Sequence, residues 1–240
     1  MNNPRIIVAL DFPNKKQALE FASRLDKNLC RIKVGKELFT IAGPQLIEQL
    51  MVYGFEVFLD LKYHDIPNTV AGACRAASEL GVWMINVHAL GGKKMLIAAQ
   101  EALATKKTKL IAVTLLTSLN KSDLHEIGLH EEPIDIVQRL ALLASNCGLD
   151  GVVCSAMEAQ QLRKIIKKDF CLVTPGIRLP NSNANDQTRI ATPQEAIRNG
   201  ADYLVIGRPI TQSPDPLLSL QQLNHEIEAV SNTVITDLEI

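Results

Sequence analysis

Eight apolar runs of strand length recur along the chain, with helix-patterned stretches between them: RIIVAL, CRIKVG, FEVFLDL, WMINVHA, KLIAVTLL, DGVVCSA, FCLVTPG and DYLVIG. Their hydrophobicity is continuous rather than alternating, which is the pattern of parallel strands covered on both faces. Alternation of strand and helix selects the α/β class, and eight repeats is the count of a (β/α)8 TIM barrel. Helix starts fall in the intervals: Asn14 stands before KKQALEFASRL, Pro44 opens PQLIEQLM, and Thr192 with Pro193 opens PQEAIRNG, which closes at Gly200. The rival fold is a doubly wound open sheet. It usually has fewer strands and a glycine-rich first turn, whereas this first turn reads ALDFPN. The expected architecture is a single barrel domain over residues 1–230, followed by a tail, residues 231–240, with no clear barrel role.

A chain of 240 residues with 47% hydrophobic content can build one such core. Its formal net charge of -1 supplies no positive field to hold a nucleic acid or an acidic membrane, so an anionic ligand must be small and locally bound. The five cysteines are scattered without a C-x-x-C pair, an odd number that argues against a disulfide framework or a zinc site and for a reducing, cytoplasmic setting. The apolar run IIVAL meets Asp11 too early for a signal sequence, and no later run approaches a membrane span.

In a barrel the active site forms at the carboxyl ends of the strands, so the residues closing each apolar run are the informative ones. The first run ends in Asp11, the second contains Lys33, the third ends in Asp60 and Lys62, and the fourth in Asn86 and His88. The fifth run leads to Thr114, Thr117 and Ser118, the seventh to Thr174, Pro175, Gly176 and Arg178, and the eighth to Gly207 and Arg208. Charges at several strand ends together repel or desolvate one another unless they pair or share a ligand. Asp60 and Lys62, two apart on one strand, are expected on the same face.

IGRPITQS places Gly207 and Arg208 between a strand and a helix expected from Pro209, where backbone N–H groups and a guanidinium can face one anion. That is the usual phosphate position of barrel enzymes. The stretch from Arg178 to Gln187, RLPNSNANDQ, has the composition of a loop and reads as a lid. His88 is expected to be a hydrogen-bonded core group more than a base or metal ligand. His64 falls inside the third-strand motif, while His125, His130 and His225 look peripheral. Cys154 reads as a small buried hydrophobe, and no nucleophile triad emerges.

The segment DLKYHDIPNT, with ALD near the start, KVGKE on the second strand, LTS on the fifth, TPGIR on the seventh, DQ in the lid and IGRP on the eighth, resembles the orotidine 5'-phosphate decarboxylase family from Val8 to about Asp215. The resemblance implies conversion of orotidine 5'-monophosphate to UMP and carbon dioxide, the last step of de novo pyrimidine synthesis, by a homodimer without metal or organic cofactor. It implies that Asp11 and Lys33 bind the ribose hydroxyls, that Asp60 sits against the substrate carboxylate, and that Lys62 donates the proton. It further implies that Asp65 and Thr69 reach into the neighbouring subunit's site, and that Thr117 or Ser118 meets the pyrimidine. The resemblance also implies that Arg178 belongs to the substrate shell near the lid, and that Gln187, Gly207 and Arg208 hold the phosphate.

This chemistry accounts for the clustered charges. Loss of carbon dioxide from C6 leaves electron density in an orbital in the ring plane, where the π system cannot spread it, so a fixed ammonium beside C6 is needed. Flanking carboxylates, Asp60 and Asp65, favour the charged form of a lysine between them. Two rival functions share parts of the pattern. One is a metal-dependent sugar-phosphate decarboxylase or aldolase of the same barrel group, using D-x-K-x-x-D around a magnesium-bound enediolate. The other is a phosphate-ligand binding protein without turnover, which has no need of Lys62 between carboxylates.

Overall fold

A computed structural model describes residues 3–105, 107–178 and 191–236. Eight strands close into one parallel barrel in sequence order: β1 (Ile6–Ala9), β2 (Arg31–Gly35), β3 (Val57–Tyr63), β4 (Met84–His88), β5 (Lys109–Val113), β6 (Gly151–Val153), β7 (Cys171–Thr174) and β8 (Tyr203–Ile206). The pairing of Ile6 with Leu204 and Val8 with Ile206 joins β1 to β8 and leaves no sheet edge. The chain is thus a (β/α)8 TIM barrel, and the eight apolar runs are its eight strands.

Helix boundaries follow local chemistry. Asn14 Oδ1 accepts the Gln17 N–H at 3.0 Å and opens the helix Lys15–Ala22. Thr192 and Glu195 cap reciprocally, with Glu195 N–H to Thr192 Oγ1 at 3.3 Å and Thr192 N–H to Glu195 Oε2 at 2.9 Å, and Pro193 begins the helix that follows. The last helix, Pro216–Thr236, packs on the helix Pro193–Arg198 and runs past position 230. Among the described residues, no helix is long and apolar enough to cross a membrane.

The core has two compartments. Residues such as Ile6, Val8, Ile32, Leu59, Ile85 and Leu204 fill the space between strands and helices. A smaller cluster, Ile7, Phe58, Met84, Ile111, Cys171, Val173 and Tyr203, plugs the barrel interior. Beneath it Arg31, 5% exposed, lies with its guanidinium 4.1 Å from the Trp83 ring centroid and 2.7 Å from Glu56 Oε2. A Cβ on Gly151 would come 2.3 Å from the Cys171 carbonyl oxygen, so only glycine lets β6 and β7 approach there. In the layer above this apolar plug, inward-facing polar residues are seated at the carboxyl ends of the strands.

Candidate active site

β3 is the longest strand, seven residues, and it carries two ionised side chains into that layer. Its register against β4 breaks there: Leu59 pairs with Ile85 and Tyr63 with Val87, so four steps along β3 match two along β4. The surplus is a bulge holding Asp60, Leu61 and Lys62, and Lys62 has φ 51. Left-handed backbone at a residue other than glycine costs about 1–3 kcal/mol and persists where surrounding contacts enforce it.

The side chains of the bulge form a charged network. Lys62 Nζ donates to Asp60 Oδ1 at 2.6 Å, and Lys33 Nζ, from β2, lies 3.4 Å from Asp60 Oδ2 and 3.4 Å from Asp11 Oδ1. Asn86, fully buried on β4, donates from Nδ2 to Asp60 Oδ1 at 2.7 Å and accepts the Lys62 backbone N–H on Oδ1 at 2.8 Å. Burial pushes the Asp60 carboxyl up; the charges of Lys33 and Lys62 and the hydrogen bonds from Lys62 and Asn86 outweigh it and hold the group below its ordinary value. Asp60 is therefore a carboxylate, and both its oxygens face cations.

A cleft of about 480 Å³ opens above the network. Asp11, Lys33, Asp60, Lys62, Thr117, Arg178, Gly207 and Arg208 all line it. Val113, Val153 and Val173, from three consecutive strands, add an apolar wall. Arg178 is buried and donates to the Ile177 carbonyl at 2.9 Å; its backbone N–H donates to the Ala191 carbonyl at 3.0 Å. Gln187 and most of the expected lid lie outside the described residues. Gly207 caps the short helix Arg208–Thr211, which begins at Arg208, one residue before the proline that the sequence marks. The Gly207 carbonyl accepts from Ile210 and Thr211, so the turn folds back beneath Arg208.

Three of the described residues that the resemblance assigns to the site are not in the lining. Ser118 is exposed, whereas Thr117 lines the cleft. Asp65 and Thr69 are exposed on the segment after β3, and Asp65 Oδ1 takes the Ile66 N–H at 2.6 Å. Among the described residues Asp65 forms no ion pair with its own Lys62, so within one chain Lys62 has one flanking carboxylate and not two. Nor does His88 match its expectation: its Nδ1 has no hydrogen-bond partner among the described residues, and its ring stacks on His64 at 5.4 Å. Burial, then His64, Lys36 and Lys62, push His88 down to about 4, so it is neutral at pH 7. Sequence reasoning also passed over Thr211 and Gln212, which line the cleft beyond Arg208 and lie inside IGRPITQS.

All five cysteines are unpaired and buried, and burial raises the Cys154 thiol out of the nucleophile range. Among the described residues, no group of three or more His, Cys, Asp or Glu side chains is placed to hold a metal ion.

Comparison with known proteins places this arrangement. Residues 4–223 match the family described as "Orotidine 5'-phosphate decarboxylase / HUMPS family". Orotidine 5'-phosphate decarboxylase of Nitrosomonas europaea is 68% identical over 230 residues, covering 96% of this chain and 100% of the relative. The Nitrosomonas eutropha protein of the same name is 70% identical over 227 residues, covering 95% and 98%. The crystal structure of the orotidine 5'-phosphate decarboxylase from Lactobacillus acidophilus superposes with a TM-score of 0.85 at 39% identity, over 94% of this chain and 99% of that one. A match that begins before β1 and continues beyond β8 leaves no strand of the barrel outside it, and the chain belongs to the orotidine 5'-phosphate decarboxylase / HUMPS family.

Proposed function

We propose that this protein decarboxylates orotidine 5'-monophosphate to UMP and carbon dioxide, the last step of UMP biosynthesis. The observation that carries the reading is the Lys33–Asp60–Lys62 network on the floor of a cleft that Gly207 and Arg208 also line. A nucleotide monophosphate has the matching polarity, with a carboxylated ring at one end and a dianion at the other.

Each residue then has a defined task. Arg208 and the Gly207 N–H hold the phosphate, with Gln187 completing the grip from segment 179–190. Asp11 and Lys33 hold the ribose hydroxyls. The pyrimidine lies along the valine wall with Thr117 at its edge, and the exposure of Ser118 favours Thr117 for that contact. Arg178 completes the shell beside the ring. The C6 carboxylate sits next to Asp60, and the C6–carboxyl bond breaks with its electron pair left on C6, in the ring plane. The Lys62 ammonium is already oriented toward Asp60, so it stabilises that pair without reorganisation and then delivers a proton to C6. Phosphate binding energy, gained far from the reacting bond, is expressed at C6 through orientation.

The enzyme acts as a homodimer with shared sites. Asp65 and Thr69 are exposed and do not line their own cleft, an arrangement that suits delivery to a neighbouring subunit's Lys62. It works in the cytoplasm, in keeping with five reduced cysteines. Incubation with orotidine 5'-monophosphate, followed by its ultraviolet spectrum, tests the function: conversion to the UMP spectrum is expected, and an unchanged spectrum overturns the proposal.

A further inference from the structure

The bulge in β3 creates a mechanical problem. Two surplus residues interrupt the β3–β4 ladder at the position where Lys62 must be aimed, and the Lys62 N–H loses the backbone acceptor that regular pairing offers. Asn86 stands on β4 between Ile85 and Val87, the two residues that bracket the break. Its side chain does what the ladder cannot: one amide accepts from the Lys62 N–H at 2.8 Å and donates to Asp60 Oδ1 at 2.7 Å. The amide is fully buried and planar, so it sets the Lys62 backbone and the Asp60 carboxylate relative to each other across the bulge.

We infer that Asn86 is a positioning residue for decarboxylation, acting through Lys62 and Asp60 rather than on the substrate. This rests on the proposed function. The residue type is demanding, because the site needs an acceptor and a donor from one rigid neutral group. An ionised carboxylate accepts but cannot donate, and would set a second anion against Asp60. An aliphatic residue does neither, and frees Lys62 to leave its left-handed backbone. The charged groups facing the amide are Asp60 and Lys62 of β3, with Lys33 of β2 behind Asp60.

Two variants test the inference, each beside wild type, with turnover of orotidine 5'-monophosphate and binding of UMP both measured. UMP lacks the C6 carboxylate and relies on the phosphate grip. For Asn86→Ala, kcat is expected to fall by ~100-fold or more, the scale of a misplaced reacting group, while the UMP Kd stays within about threefold. For Asn86→Asp, the new carboxyl can accept and donate only when protonated, so kcat is expected to rise as the pH falls, on a limb that wild type lacks. If Asn86→Ala does not fold, the Asn86→Asp profile decides. An Asn86→Ala kcat within about threefold of wild type, a loss of UMP affinity in step with kcat, or an Asn86→Asp profile parallel to wild type each overturns the inference. Wild type that leaves the substrate unchanged brings down the proposed function, and this inference with it; active wild type beside an unimpaired Asn86→Ala brings down this inference alone.

Discussion

Lys62 Nζ lies 2.6 Å from Asp60 Oδ1, although the two residues are separated by a backbone that leaves the regular strand between them. The ion pair is intramolecular to one bulge, so its geometry is set before any ligand arrives. Asp60 is 9% exposed and is shared with Lys33 on its other oxygen. Such a buried arrangement is costly as pure structure and useful as preorganised charge.

Lys62→Ala is expected to abolish turnover while leaving nucleotide binding largely intact, because the ammonium acts on charge that develops only in the transition state. A fall in kcat of more than ~100-fold, or about 2.7 kcal/mol, is the predicted size. Steady-state kinetics with UMP binding as the control provides the check, and retention of more than a few per cent of kcat rejects the role.

Arg208→Ala should show the opposite emphasis. KM for the phosphorylated nucleotide rises by about 100-fold or more, since a charge-assisted contact is lost, while the slow reaction of the unphosphorylated nucleoside matches wild type. Equal damage to both substrates places Arg208 somewhere other than the phosphate.

Subunit mixing tests the shared site. Lys62→Ala and Asp65→Ala homodimers are each expected to be nearly dead. Random exchange makes about half of the dimers mixed, each with one intact and one doubly damaged site, so about a quarter of all sites recover. No recovery after mass spectrometry has confirmed mixed dimers returns Asp65 to its own chain.

Stability should fall with acidification in two stages. His88 is depressed from 6.5 to about 4, so between these values the unfolded chain binds the proton first and stability declines as pH drops. Asp60 is also held low, so its contribution is present above the ordinary carboxylate value and is lost as pH falls through its folded value. Urea unfolding at pH 7 and pH 4.5 should show that His88→Gln flattens the first stage; an unchanged slope rejects the assignment.

EDTA is expected to leave turnover unchanged. Both oxygens of Asp60 already face ammonium groups, and a hard cation there would have to displace Lys33 or Lys62. Activity lost to EDTA and restored by magnesium favours the sugar-phosphate reading instead.

The architecture and most of the cleft were legible from residue order. Eight apolar runs sufficed for eight strands because each strand is buried on both faces and must be apolar along its length. Charges that interrupt those runs had to lie at the carboxyl ends, and ten of the fifteen residues so chosen line one cleft. Only the tertiary structure decided how they meet. Period-two reasoning puts Asp60 and Lys62 on one face, but the register break and the φ of 51 at Lys62 depend on what β4 offers opposite them. Asn86 is one of several polar strand-end residues in the sequence, and its two hydrogen bonds exist because barrel closure brings β4 against the bulge. The stacking of His88 on His64, the absence of Asp65 from the cleft lining, and the choice between Thr117 and Ser118 have the same origin. Burial patterns are written locally along the chain; the pairing of particular polar atoms is settled by neighbours distant in sequence.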